Sequence, residues 1–523
     1  MKPTKVGAMP EENRAETSGA RDSHTETQRT RRIQWAQALV LVVLFTAPAL
    51  VCARMGTIGD PDVWWHLRSA EWIVEHRAVP HTDPFSAFGA GKPWAAYSWL
   101  YELVIFRLFQ RLGLMGIVVY CTGMVVAIAI ALHRLIRNLQ VDFSFTVLLT
   151  AVAGVTICRL YMPRPWLFTI LFFALEIDLL MQARKNGKQK GLLWLPLIFA
   201  LWANLHIQFV DGLPILALAL AETVLARWWK GIQVRTRPGW MAGIFAACLL
   251  ATLANPYGWK IYEVAYDMAR PSGALNNVAE MVALPFRRLD DWGVLLLALA
   301  ATGVLARARR FALFEWILLA FAICVSFRSQ RDLWVLVIAS IAILAGELKG
   351  DENNRLRLTA FAAPFVVPAV ALALLIGIRA FHVDNAELSE ELPEVLPVRA
   401  VEVVREKGWS GPLYNEYAWG GYLIWALRMP VSIDGRYNVY GDERVDRSIA
   451  TWTGQPGWDS DPDLAKAGLV IGPVKIPLTQ LLRMDPHFQL VYEDKLAAVF
   501  VARKVSPSAP QEISGSAAHT AAK

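Results

Sequence analysis

Eleven apolar blocks alternate with short polar connections between residues 33 and 380. They occupy 33–53, 114–132, 145–161, 165–182, 191–209, 212–228, 240–256, 292–306, 311–327, 331–347 and 358–380. Most run for about 17 to 23 residues, the length at which a helix crosses a bilayer core. The pattern predicts a polytopic α-helical membrane protein with about eleven transmembrane helices. The stretches outside it are distinct. Residues 1–32 are polar, with no apolar period, and predict a disordered tail. Residues 59–102 are the longest polar interruption between blocks. Within them, Val63, Trp64, Leu67, Ala70, Trp72, Ile73 and Val74 recur along one face of a helix over 62–76. Such a helix lies at a membrane interface. Residues 98–112 predict a second amphipathic helix, bearing Glu102, Arg107 and Arg111 and too short and charged for a span. From 381 to 505 the apolar runs shorten. A helix at 398–407, short strands at 412–417, 430–434 and 468–471, and a hairpin over 488–502 predict a small soluble α/β domain. An Ala/Ser-rich tail follows at 506–523. The chain thus divides into a tail (1–32), a transmembrane domain (33–380, with 54–113 as its first external loop), a soluble domain and a second tail.

Charge sets the orientation. The net charge of +7 invites a nucleic-acid partner, but the basic residues sit at the ends of apolar blocks, where membrane orientation requires them. Arg29, Arg31 and Arg32 precede the first block, which is too long for a cleaved signal and is read as a retained span starting in the cytoplasm. Alternate connections then carry the basic residues, as at 184–190, 227–237 and 307–310. The opposite side carries only Arg159, Arg164, Arg328 and Arg331 in its short connections. This places 54–113 and the C-terminal domain outside. Charged residues make up 19% of the chain against about a quarter in soluble proteins. All five cysteines lie inside apolar blocks without a CxxC pair, which predicts small buried hydrophobes, not disulfides or metal ligands.

The candidate chemistry lies on the outer side. Asp60 and Asp62 are close enough to act together, and Asp62 and His66, four apart, share a helix face. A carboxylate and an imidazole so placed suit proton abstraction or a divalent ion; the plainer role is helix capping. His81 and Asp83, in HTDPFS, fit either a site or a turn before Pro84. Glu102 is a second carboxylate beside the loop, or an exposed-face residue. Arg159, Arg164, Arg328 and Arg331 at block ends suit phosphate oxygens, or snorkel to headgroups. Asn204, His206 and Asn255 complete the set, with inter-helix hydrogen bonding as the simpler account. No P-loop, dinucleotide fingerprint or HExxH motif is present.

The runs DPDVWWHLRSAEWI, VPHTDPFS and WLYE resemble the first external loop of bacterial GT-C-fold membrane proteins, relatives of the dolichyl-phosphate-mannose protein mannosyltransferases and the lipid A aminoarabinose transferases. RPWLF, WANLH and NPYG, and NEYAWGGYLIW with SIDGRYNVYGD in the C-terminal domain, extend the resemblance over most of 33–500. It implies a GT-C-like fold in a bacterial inner membrane. It also implies sugar transfer from a polyprenyl-phosphate donor to an extracytoplasmic glycan, lipid or protein acceptor. The loop's acidic residue would be the catalytic base or would hold a divalent metal (Mg or Mn). Carried over, that role falls on Asp60 or Asp62, and the alignment with His66 favours Asp62. Those families show an adjacent Asp-Glu pair where this chain has Asp-Pro-Asp. His81, Asp83, Arg159, Arg164, Asn204, His206, Asn255, Arg328 and Arg331 would line the substrate cavity. A non-catalytic scaffold of the same fold is the alternative. A lipid or solute transporter is the remaining one, although no inverted repeat appears.

Overall fold

In the computed structural model the described residues are 11–54, 59–232, 234–270, 273, 278, 280–308, 312–348, 350–355 and 363–503, with side chains from residue 28 onward except for those of Asn354 and Ala363. Contacts divide the chain into two compact units: Met1–His81 with Ala95–Glu391, and Thr82–Trp94 with Leu392–Lys523.

Each of the eleven apolar blocks forms a helix in the first unit. They are α1 (Glu11–Arg54), α4 (Met115–Leu139), α5 (Phe143–Thr156), α6 (Trp166–Asn186), α7 (Leu195–Leu205), α8 (Gly212–Leu225), α9 (Pro238–Thr252), α11 (Leu289–Arg307), α12 (Leu313–Arg328), α13 (Leu333–Glu347) and α14 (Ala363–Ala380). Interleaved are α2 (Asp62–His76), α3 (Trp99–Leu112) and α10 (Lys260–Ala269). Among the described residues, five helical segments are long and apolar enough to cross a membrane unaided, or six if the bent pair Pro364–Ala380 and Asn385–Glu394 counts as one span. Helix α13 is buried from Leu333 to Ala345 and packs on α4, α5, α6, α11 and α12. A helix that is apolar all round belongs in such a centre. The outward positions of other helices are also apolar, for example Leu148, Val155, Leu250, Leu296 and Leu375. Water would not tolerate that surface and a bilayer does.

Helix α1 is continuous back to Glu11, where a disordered tail is expected from composition. The Glu, Arg, Ala and Gln of that segment are good helix formers, and the apolar helix they lead into has already nucleated. Of the cysteines, Cys52, Cys121 and Cys248 are buried as expected, but Cys158 and Cys324 are exposed. Lying in or beside an apolar block does not set which way a side chain faces.

The second unit holds a four-stranded sheet of order β1-β2-β4-β3, from β1 (Leu413–Asn415), β2 (Leu469–Pro473), β3 (Phe488–Glu493) and β4 (Ala497–Ala502). β1 and β2 are parallel and the other pairings antiparallel. Its core gathers Tyr414, Trp452, Val470, Leu478 and Phe500. Residues 430–434, expected as a strand, form only an isolated bridge at Val431, to Ser86. There the backbone is held by a side chain, Asn415, which accepts from Ser432 N at 3.0 Å and donates to Ile433 O at 2.8 Å.

Candidate active site

Asp60 and Asp62 flank Pro61, whose φ of −66° leads into α2. Asp60 Oδ1 accepts the N–H of Asp62 at 2.9 Å, so Asp60 does serve the helix start. Its other oxygen has a different partner. Arg164, in the connection between α5 and α6, donates from Nε to Asp60 Oδ2 at 2.5 Å and from Nη1 to Asp62 Oδ2. One guanidinium fork thus spans both carboxylates. The backbone beneath it is pinned, because Tyr120 donates to Arg164 O at 2.9 Å and Tyr101 donates to Pro163 O. The two aspartates differ in access: the side chain of Asp60 is 1% exposed, that of Asp62 16%. Burial pushes Asp60 up to about 6, with Arg164 opposing and Asp62 reinforcing the shift. Asp62 is also raised by burial, against Arg164 and with Glu280 adding repulsion. Two acids sharing one cation in a dry setting hold protons more tightly than either would in water.

Arg331 supplies a second cation. It follows α12 in a short turn, tied down by Arg331 N to Glu280 O and Gln330 N to Val282 O, both at 2.9 Å. Its Nη1 lies 3.9 Å from Glu280 Oε1, outside hydrogen-bond range. Its Nε is buried with no hydrogen-bond partner among the described residues. Glu280 acts electrostatically on both Asp62 and Arg164, which puts this second ion pair beside the first. Tyr97 lies in the fields of Arg331, Glu102, Asp62 and Arg164, and burial pushes its phenol up to about 12.

The pairing expected between Asp62 and His66 does not form. His66 Nδ1 lies 3.2 Å from Glu102 Oε1, and Ser69 Oγ donates to Glu102 Oε2 at 2.6 Å. All three residues are buried, so Glu102 is not the exposed-face residue that its position on an amphipathic helix suggests. It fastens α3 to α2, while the stronger guanidinium partner draws Asp62 away from the imidazole.

The other candidates disperse. His206 faces Thr169 Oγ1 at 2.8 Å, and Asn204 accepts from Trp99 Nε1 at 2.9 Å while donating to Ala254 O at 2.8 Å. Asn255 closes its own turn, accepting from Tyr257 N at 2.8 Å. Arg159 is engaged by Asp291 at 2.6 Å. Arg328 is exposed at the end of α12, and His81 is exposed with its ring edge toward Tyr257. Asp83 falls in the second unit, where it accepts from Phe85 N at 2.9 Å, Ser86 Oγ at 2.5 Å and Arg436 Nη1 at 2.6 Å. That is the turn role, reinforced by a buried ion pair.

A divalent ion does not fit the aspartate pair. Both oxygens of Asp60 and one of Asp62 are already engaged by N–H donors. Among the described residues no group of three or more His, Cys, Asp or Glu could hold a metal ion. A guanidinium stands where the sequence leaves room for a metal. Sequence reasoning missed Glu280, Tyr97 and Ser69. Glu280 lies in a long aperiodic connection, Tyr97 is a neutral residue in the turn before the second amphipathic helix, and Ser69 is a neutral residue inside the first, so none carries a local signal.

No family model and no curated protein matches the chain. Among solved structures it is similar to the apo oligosaccharyltransferase of Archaeoglobus fulgidus, at 10% identity over 85% of this chain and 70% of that one, with a TM-score of 0.50. It is also similar to ArnT of Cupriavidus metallidurans bound to undecaprenyl phosphate, at 14% identity over 89% and 98% with a TM-score of 0.47. With ArnT in the apo state the values are 13%, 88% and 97%, and 0.44. The oligosaccharyltransferase likeness shows the fold: the chain is a polytopic membrane protein of GT-C-like architecture.

Proposed function

We propose that the protein is a membrane glycosyltransferase that moves a sugar from a polyprenyl-phosphate donor to an extracytoplasmic glycan, lipid or protein acceptor. The observation that carries this reading is Arg331, a guanidinium with a buried, unpartnered Nε beside two carboxylates whose own cation is already taken. A buried donor without an acceptor is costly, and an incoming phosphate oxygen relieves it. A transferase of the same fold supports the reaction class, and the site supplies the roles. Arg331 takes the donor phosphate. Asp62, the more exposed of the two acids, is the base. Asp60 and Arg164 hold it in place.

In the proposed step the acceptor hydroxyl oxygen attacks the anomeric carbon on the face opposite the phosphate, and its proton passes to Asp62. The bond from that carbon to the phosphate oxygen breaks, and polyprenyl phosphate leaves with the electron pair. The configuration inverts. On this reading the site lies on the outer face of a bacterial inner membrane, with the N-terminus in the cytoplasm and the C-terminal domain outside, which the distribution of basic residues supports.

The test offers the full-length protein in nanodiscs a panel of undecaprenyl-phosphate sugars with cell-envelope acceptors and follows released undecaprenyl phosphate by mass spectrometry. Loss of a positioned base slows such steps about 10²- to 10⁴-fold, which is the effect expected for Asp62→Asn. Undiminished release by both Asp62→Asn and Asp60→Asn overturns the proposal. So does a wild-type protein that binds the lipids but consumes none, the outcome a scaffold of this fold predicts.

A further inference from the structure

We infer that Gln208 and Ser329 form a sugar subsite beside Arg331, in which the Gln208 side-chain carbonyl accepts from one hydroxyl of the donor's sugar and the Ser329 hydroxyl bonds another; the inference rests on the donor reading above. The turn Gln330–Asp332 between α12 and α13 carries Arg331, and Ser329 stands at its start. The turn is pinned. Asp332 N donates to Ser329 O at 3.0 Å, and Ser326 Oγ donates to Asp332 O at 2.8 Å while accepting from Leu336 N at 3.2 Å. Gln208 reaches it from the short helical turn Ile207–Asp211 before α8, where its Nε2 donates to Asp332 Oδ1 at 2.7 Å. Three buried polar atoms of this assembly have no hydrogen-bond partner among the described residues: Arg331 Nε, Ser329 Oγ and Gln208 Oε1. Ser329 as a whole is 5% exposed. Buried polar atoms are paired as a rule, and three orphans on one fixed turn call for a ligand.

The kinds of orphan decide which ligand satisfies them. The bond to Asp332 fixes which end of the amide is spent, so Gln208 presents its carbonyl, an acceptor only. Asp211, in the same helical turn, also bonds this amide, as an acceptor for its N–H groups. Arg331 Nε is a donor only, and Ser329 Oγ is both donor and acceptor. A phosphate oxygen satisfies Arg331 but not the carbonyl, because a phosphodiester carries acceptors and no donor. A polyprenyl tail offers neither. A sugar hydroxyl donates to Gln208 Oε1, and a second one pairs with Ser329 Oγ. The sugar is joined directly to the phosphate, so these hydroxyls arrive beside the group that takes the phosphate. The turn thus reads the donor in two parts, its phosphate by Arg331 and its sugar by Gln208 and Ser329. A site built to bond a hydroxyl discriminates against a ligand that lacks it, because its own buried groups are then left unpaired.

The experiment uses the full-length protein in nanodiscs and measures dissociation constants by native mass spectrometry for four lipid probes: undecaprenyl methyl phosphate and the glucosyl, mannosyl and galactosyl phosphates of undecaprenol. All are phosphodiesters of equal charge, so the comparison isolates the sugar. Wild type should bind at least one sugar lipid more tightly than the methyl diester. One neutral hydrogen bond corresponds to roughly a two- to tenfold change in affinity. Ser329→Ala and Gln208→Met should each cut the preference for the sugar lipid by that factor and leave the affinity for the methyl diester as it is. Ser329→Ala removes an oxygen that no described residue bonds, so it should melt with wild type; a lower melting temperature would reveal an internal partner and overturn the inference. Gln208→Met also deprives Asp332 of a partner, so if that variant melts lower, Ser329→Ala decides alone. Equal weakening of all four probes, an unaltered preference in Ser329→Ala, or a wild type with no preference overturns the subsite. In each of those cases the donor reading stands as long as Arg331→Ala weakens binding of the methyl diester. If wild type binds none of the four, both fall together.

Discussion

Arg164→Met removes the cation that two aspartates share, and its consequence depends on pH in a direction the structure dictates. Even with Arg164 present, burial holds Asp60 near 6 against an ordinary 3.8. At about 1.4 kcal/mol per unit, that difference means ionised Asp60 already costs the fold roughly 3 kcal/mol at neutral pH. A folded-state value above the unfolded one means that the stability is complete below about 4 and is lost as pH rises through the folded value. Without the guanidinium, both carboxyls shift further up, and the loss extends past neutrality. Breaking a buried ion pair from one side costs about 3–5 kcal/mol, part of it relieved by proton uptake. The variant should therefore unfold close to wild type at pH 5 and well below it at pH 8. Thermal unfolding of the full chain in detergent, followed by the fluorescence of its 21 tryptophans, measures this. Adding Asp62→Asn to Arg164→Met should recover much of the loss at pH 8. An equal loss at pH 5 and pH 8, or no recovery in the double variant, would refute the shared-cation account.

Arg436→Met should destabilise the second unit by about 3–5 kcal/mol, since Asp83 and Asp434 are 0% exposed and would lose their cation. Faster limited proteolysis of the full chain within residues 82–94 and 392–503 is the readout. Gly420→Ala should cost roughly 1–3 kcal/mol, because its Cβ would lie 2.1 Å from Ile433 O and 2.7 Å from Asp434 Cα, and backbone atoms cannot step aside. An unchanged melting temperature for that variant would show that the approach of the helix Gly420–Leu427 to residues 433–434 is looser than the structure has it.

Local patterns are legible in the sequence because local rules govern them. The helix expected over 62–76 is Asp62–His76, and the one expected over 98–112 is Trp99–Leu112. Asp-Pro-Asp starts the first, Arg77 at φ 52° ends it, and an apolar stripe runs between. Partner choice was not legible. Asp62 and His66 share a face, but a face does not say which of two cations a carboxylate will meet, and here Arg164 arrives from 102 residues away. Asp83 binds Arg436 across 353 residues, and this takes 82–94 out of the loop that contains it in sequence. No periodicity encodes such a contact. Glu280 was invisible for the same reason: only the return of backbone from Arg331 brings it to the aspartates.

The arginines also separate structural charge from chemistry. Arg436 is fixed by both oxygens of Asp434, Arg184 takes Glu222 through two bonds of 2.7 Å, and Arg164 spans two aspartates. Each is saturated by acids of its own chain, as burial of a cation demands. Arg331 has only an ion pair at 3.9 Å and leaves Nε orphaned, whereas Arg159, which also leaves Nε and Nη2 without partners, is held by Asp291 at 2.6 Å. The ion pairs there set Asp60, Asp62 and Glu280 against Arg164 and Arg331, and Asp211 also lies in the field of Arg331. In the proposed step a phosphodiester donor would enter with one negative charge and leave as a monoester with two. The proton released by the acceptor hydroxyl, landing on Asp62, would cancel the second. The charge at the site would then be the same before and after the proposed transfer. Burial that raises the proton affinity of Asp62 acts in the same direction as the proposed step, so the environment that makes the aspartate pair costly to the fold is the one that would make it a better base.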